Sequence, residues 1–322
     1  MTREVLITGG LGYAGGRIAR FLAGRPDMTL RLGTRLRHEA APEWLKNGRV
    51  VRMDFESPDS LAGALAGVNC VIHLAAMNEL DSAANPEGAL IVNGLYSLKL
   101  LNAAMRAGAE RFIYFSTGHV YGSPLEGRIT EDSVTRPVHP YAITHRVSED
   151  FVLAAHDRKK LVGVVLRLTN GFGAPERADV NRWTLLVNDL CRQAVTTGAL
   201  VLRSSGIQYR DFITLEDVAR AAGHFAALPA EACGKGLFNL GGQRSMTILE
   251  MTERISARCQ AVLGFRPRIV RPEAAALEDG AARPLDFCID RLKATGFTLT
   301  GDIDAEIDAT LCLCKKAFGQ GA

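Results

Sequence analysis

Eight residues near the start of the chain limit its fold more than any others: Thr8-Gly9-Gly10-Leu11-Gly12-Tyr13-Ala14-Gly15. An apolar, β-rich run, Val5-Leu6-Ile7, leads into them, and a helical pattern through Ile18, Phe21 and Leu22 leads out. A strand that turns into a helix through G-x-x-G-x-x-G is the fingerprint of a dinucleotide site. Gly9 makes the tight turn, Gly12 lets a pyrophosphate approach the backbone, and Gly15 lets the helix lie close on the strand. Tyr13 and Ala14 open the helix in the same loop and are assigned to the cofactor with the glycines.

Beyond the fingerprint the pattern alternates. Strands are predicted at Thr29–Thr34, Val50–Asp54, Cys70–Leu74, Arg111–Ser116 and Leu161–Leu168, with helical stretches between them. One of these is a helix from Ala89 to Arg106, with Ile91, Leu95, Leu98, Leu101 and Met105 expected as its buried stripe. This alternation predicts an α/β fold, a doubly wound parallel sheet of the Rossmann kind, with a smaller C-terminal substrate-binding lobe. Residues 1–168 are assigned to the dinucleotide-binding domain, with 212–241 returning to it through a strand at Leu237–Leu240. The lobe takes residues 169–211 and 242–322, with helices at Trp183–Thr197, Ile248–Leu263 and Ile303–Phe318 and short strands at Leu200–Leu202 and Arg268–Arg271.

Composition excludes several function classes. A formal net charge of +3 on 322 residues is too small to suggest nucleic-acid or membrane binding. No apolar run approaches the roughly 20 residues that span a bilayer. The start runs directly into a strand with no signal-peptide pattern, so a cytoplasmic protein is expected. The seven cysteines have no metal-like spacing and read as buried, reduced thiols.

Several side chains are candidates for chemistry. After the second strand, Gly33-Thr34-Arg35, with Arg37 close behind, stands where a carboxylate usually meets the ribose of NAD. A guanidinium there suits the 2′-phosphate of NADP, with NAD as the alternative; otherwise both arginines are solvated loop charges. Asp54, followed by Phe55, is placed to bond the adenine amino group or is a surface charge. Leu74-Ala75-Ala76 are small enough at a strand end to let a cofactor pass. His73 is read as a strand-end hydrogen-bonder, and Asn93 as either facing a strand terminus or lying on the surface. Ser116 and Thr117 leave a parallel strand at its carboxyl end, where open α/β sheets bind ligands, or they cap a turn. His119 is a possible base in the loop that follows. Tyr141 and His145 lie four apart on a helix and therefore share a face.

Together these motifs resemble the extended short-chain dehydrogenase/reductase family, of the nucleotide-sugar epimerase, dehydratase and reductase type. The resemblance rests on Thr8 to Gly15, Phe115 to Gly122, Tyr141 to Glu149, Asn170 to Pro175, Arg210-Asp211-Phe212 and Arg283 to Asp286. It implies Thr117 as catalytic hydroxyl, Tyr141 as catalytic tyrosine, and a nucleotide diphosphate sugar held by Thr117, Asn170, Arg210 and Arg283. It also implies a homodimer. The chain departs from the family at His145, where a lysine is usual. Gly118 and His119 stand where sugar 4,6-dehydratases carry an acidic pair, which argues against dehydration. Tyr96, Ser97 and Leu285 are further departures. Reduction of a 4-keto sugar is the favoured reaction. A 4-epimerase with tightly held NAD is the alternative, and a cofactor-binding protein with a decayed proton relay a third.

Overall fold

The computed structural model describes residues 2–36, 40–272 and 283–319. Seven strands form one parallel sheet: β1 (Arg3–Thr8), β2 (Met28–Thr34), β3 (Gly48–Arg52), β4 (Cys70–His73), β5 (Arg111–Thr117), β6 (Val162–Leu168) and β7 (Leu237–Leu240). Their order across the sheet is β7-β6-β5-β4-β1-β2-β3. The winding reverses between β1 and β4, whose ends pair Thr8 with His73. In such sheets the crevice beyond that reversal receives ligands.

Alternation along the strands divides the core. Val5, Ile7, Ile72, Ile113 and Leu166 pack on one face, while Leu6, Val71, Phe112, Tyr114 and Val165 pack on the other. Successive side chains in a strand point to opposite faces, so a sheet covered by helices on both sides reads as unbroken apolar runs. A third apolar cluster lies apart from both. It gathers Phe172, Trp183, Leu190 and Phe212 with Met251 and Ile255 of the helix Ile248–Leu263 and Ile307 and Leu311 of the helix Ile303–Phe318.

Two helices differ from the sequence reading. The single helix expected over Ala89–Arg106 is a short α-turn at Pro86–Ala89, a π-helical turn at Leu90–Leu95 and an α-helix at Tyr96–Arg106. The amide of Tyr96 reaches back five residues to the carbonyl of Ile91. Ile91 and Leu95 of the expected buried stripe are each 45% exposed, because an apolar stripe does not reveal one residue inserted into a turn. Trp183 lies outside its expected helix, which begins at Leu186; its indole instead donates to the Ala178 carbonyl at 2.8 Å. Among the cysteines, Cys312 is exposed rather than buried, and all seven are free.

Candidate active site

A cavity of about 790 Å³ opens above the carboxyl ends of β1, β4 and β5. The glycine loop floors it. Gly9 takes φ +69°, a conformation that favours glycine, and a Cβ on Gly15 would lie 2.1 Å from the Gly9 carbonyl oxygen. The helix Tyr13–Ala23 therefore starts hard against the turn, and its first residues line the cavity. Gly9, Gly12, Tyr13, Ala14 and Gly15 all line it, as do Leu74, Ala75 and Ala76.

At one end stand Gly33, Arg35, Phe55 and Tyr96, with Phe55 stacked on Tyr96 at 5.3 Å between ring centres. Arg35 is exposed on this rim. Asp54 does not line the cavity; its carboxylate accepts the Glu56 amide at 3.0 Å, closing a turn. Arg37 lies outside the described residues.

At the other end stand Thr117, Tyr141, His145 and Asn170. Thr117 is the last residue of β5, and its hydroxyl accepts the His119 amide at 3.2 Å, opening the short 3₁₀ turn Gly118–Tyr121. His139 caps the helix Pro140–Asp157, which carries Tyr141 and His145 on one face. The two rings meet edge to face, 4.4 Å between centres. Nδ1 of His145 lies 2.7 Å from the Tyr114 hydroxyl, and Nε2 is buried with no protein partner.

Burial decides the protonation states. It pushes His145 down to about 4, with Glu79 opposing the fall and Arg182 adding to it. Burial also pushes the Tyr141 phenol well above 10, with Glu79 adding and Arg182 opposing. At neutral pH the imidazole is uncharged and the phenol keeps its proton.

Glu79 and Arg182 escaped the sequence reading. They form an ion pair at 2.9 Å on the cavity wall, facing the Tyr141 end. No spacing signals a contact between residues so far apart in the chain. His119 lines the same wall, its pKa lowered chiefly by burial.

Asn93 stands behind the wall rather than on it. It is 0% exposed; its Oδ1 accepts the Met77 amide at 2.7 Å, and its amide nitrogen donates to Thr144 at 3.0 Å. His73 is the strand-end hydrogen-bonder expected, between Thr8 at 2.5 Å and Ser97 at 2.8 Å. Arg210 and Arg283 do not line the cavity. Arg210 is half-buried, its guanidinium donates to the Tyr209 carbonyl at 3.1 Å, and it has no carboxylate partner among the described residues. Arg283 is exposed beside the undescribed stretch 273–282.

Residues 5–241 match the model of the NAD dependent epimerase/dehydratase family. The chain belongs to that family. Within it, a UDP-glucose 4-epimerase from Azospirillum brasilense is 30% identical over 270 residues, 78% of this chain and 76% of the relative. A dTDP-glucose 4,6-dehydratase from Streptomyces niveus is 28% identical over 270 residues, covering 80% and 78%. Among solved structures, a UDP-N-acetylglucosamine 4-epimerase from Methanobrevibacter ruminantium M1, in complex with UDP-N-acetylmuramic acid, superposes with a TM-score of 0.78 at 25% identity. It covers 97% of each chain.

The cavity fits the nicotinamide dinucleotide of the epimerase/dehydratase family. Its floor is cut to the depth of a backbone by Gly9 and Gly15, and the orphaned Nε2 of His145 is a polar atom awaiting a partner at the other end.

Proposed function

We propose that this chain reduces the keto group of a nucleotide-activated 4-keto sugar with NADPH. The observation that carries this reading is the contact between a protonated Tyr141 and an uncharged His145. A lysine at position 145 would place a fixed ammonium beside the phenol and favour phenolate, the form that starts an alcohol oxidation. A neutral imidazole leaves the phenol as a proton donor, the form a ketone needs. The nicotinamide, when bound, supplies the hydride. Thr117 donates a hydrogen bond to the substrate oxygen while Tyr141 delivers the proton. Arg35 would hold the 2′-phosphate at the exposed rim, with NAD as the alternative cofactor.

The substrate is a nucleotide diphosphate sugar, the class named for the epimerase and dehydratase relatives. Residues 1–168 and 212–241 would hold the cofactor, and 169–211 with 242–322 the sugar nucleotide. Asn170 sits at the seam, its side-chain amide tied to the Asp211 carbonyl at 2.9 Å. Arg210, half-buried and without a carboxylate, suits a diphosphate, and Arg283 would join it from the exposed side.

A second reading, a 4-epimerase with tightly held NAD, is favoured by the 30% identity to a UDP-glucose 4-epimerase. Single-turnover measurements separate the two. With bound ligands, nicotinamide absorbance should report fast ketone reduction at neutral pH and slow alcohol oxidation that quickens towards alkaline pH. His145→Lys should speed oxidation more than reduction. Equal profiles for wild type and variant, or a copurifying nicotinamide that does not exchange, would sink the reductase reading.

A further inference from the structure

Glu79 and Arg182 line the cavity as an ion pair that the hydride chemistry leaves unused. Both stand on segments fixed from behind. The Met77 amide donates to Asn93 Oδ1 at 2.7 Å, and the Asn93 side-chain nitrogen donates to the Thr144 hydroxyl at 3.0 Å. That hydroxyl shares its proton between the carbonyls of Pro140 and Tyr141, both at 2.9 Å. These bonds tie the segment that leads to Glu79 onto the turn that carries Tyr141. The helix Glu79–Ala84 then packs on the helix Pro140–Asp157. Arg182 is placed by its neighbour Trp183, whose indole donates to Ala178 and meets Phe318 edge to face, 5.0 Å between ring centres. Little reordering is needed for such a pair to take a ligand beside Tyr141.

The contact between the two is single, from Arg182 Nη1 to Glu79 Oε2 at 2.9 Å. A guanidinium offers a fork of N–H donors and a carboxylate acceptors on both oxygens, so one contact leaves most of each available. Among the described residues, no other group accepts from the Arg182 guanidinium and no other residue donates to the Glu79 carboxylate. Burial opposes ionisation of Glu79, but Arg182 holds its carboxyl below the ordinary value, so both members are charged at neutral pH.

Because the charges cancel, the pair is selective about the group it takes. A phosphate or carboxylate at Arg182 would also meet Glu79, and an ammonium at Glu79 would meet Arg182. An amide cannot serve both, since its N–H and C=O point in opposite directions across a trans bond. Two neighbouring hydroxyls can, one donating to Glu79 while the next accepts from Arg182. In a 4-keto hexose linked through C1, the adjacent ring hydroxyls are those on C3 and C2. We propose that Glu79 and Arg182 read this pair of hydroxyls, next to the carbon that reacts at Tyr141. They are specificity-determining residues, because a sugar lacking either hydroxyl leaves a charged group without its partner. The assignment rests on the proposed nucleotide-sugar substrate. The nicotinamide ribose carries a diol of the same chemistry, so dinucleotide binding has to be read alongside.

Calorimetry separates the outcomes, using UDP-glucose, or dTDP-glucose if it binds more tightly, with the 2-deoxy and 3-deoxy forms of the same sugar nucleotide. Wild type should bind each deoxy form roughly tenfold or more weakly than the parent. Glu79→Ala should bind the parent that much more weakly and cease to discriminate against one deoxy form. Arg182→Ala should do the same with the other. NADP and NAD should bind both variants as they bind wild type. Equal wild-type affinities for the three sugars overturn the inference, and that comparison decides alone if melting curves show neither variant folded. Discrimination that survives both substitutions also overturns it, as does a loss confined to the dinucleotides, which would give the diol to the ribose. Absence of binding by UDP-glucose and dTDP-glucose alike defeats the nucleotide-sugar reading itself, and this inference with it.

Discussion

The pairing of Tyr141 with His145 shows how burial can change a residue's role without changing its neighbours. Both side chains share a helix face, yet packing beneath them sets their charge: His145 is 3% exposed and hydrogen-bonded below to Tyr114. One consequence concerns acid stability. His145 falls from 6.5 to about 4 and His73 from 6.5 to about 3, both chiefly through burial. Between these values and 6.5 the unfolded chain binds protons that the folded one refuses, so stability is lost as pH falls through that window and is flat above it. A tenfold change in a group's proton affinity between the two states corresponds to about 1.4 kcal/mol. Urea midpoints should drop from pH 7 to pH 5, and His145→Gln should lessen the drop; a midpoint independent of pH there would contradict it. Arg35 carries a second residue-scale prediction. Arg35→Ala should weaken NADP binding by the loss of a charge-assisted contact, on the order of 1.5–3 kcal/mol, and leave NAD nearly unchanged by calorimetry. Equal affinities in the wild type would defeat the NADP reading. Arg210→Ala should cost a similar amount for a nucleoside diphosphate while sparing the dinucleotide; parallel loss of both would point to a role in folding instead.

At the scale of elements, the site depends on two local departures from regular geometry. In the glycine loop, a Cβ on Gly15 would meet the Gly9 carbonyl oxygen at 2.1 Å and its carbon at 2.7 Å, both backbone atoms. Neither can swing away like a side chain. Gly15→Ala should therefore push the helix Tyr13–Ala23 off β1, costing roughly 1–3 kcal/mol of stability by overpacking. Dinucleotide binding should weaken more than the sugar nucleotide's; calorimetry with a melting curve checks both, and unaltered dinucleotide affinity would refute the role given to the loop. The second departure is the π-helical turn at Leu90–Leu95. It carries Asn93 inward, so that its side chain meets the Met77 amide just past β4 and its carbonyl takes the hydroxyls of Ser97 and Ser148. Such turns recur at functional sites because an extra residue re-aims side chains without breaking the helix. The glycines announced the first departure in the sequence. The second had no signature there, since the apolar positions of the stripe keep their spacing on either side of the widened turn.

Across the whole molecule, two helices leave apolar faces uncovered. Leu95 is 45% exposed in the π-helical turn Leu90–Leu95 that leads into the helix Tyr96–Arg106, and Ile143 and Phe151 are 44% and 41% exposed on the helix Pro140–Asp157. More apolar surface is presented than one core needs, which supports the expected homodimer. Light scattering at micromolar concentration should give twice the chain mass, and Ile143→Glu with Phe151→Glu should halve it; a monomeric wild type would refute the dimer. No described helix is long and apolar enough to cross a membrane. The parallel sheet and the position of its ligand crevice were written in the sequence, because a period of two or 3.6 and a glycine turn are local properties that survive in a string of letters. Tyr141, Thr117 and Asn170 could likewise be named from their motifs, and the structure brings them to one cavity. What packing alone decided was the environment of those residues. Glu79 meets Arg182 from 103 positions away, Arg210 stands off the cavity wall, Asp54 spends its carboxylate on a turn, and the His145 imidazole rests on the Tyr114 hydroxyl. Charge state and hydrogen-bond polarity depend on which groups share a buried volume, and that is fixed only when distant segments of the chain close around them.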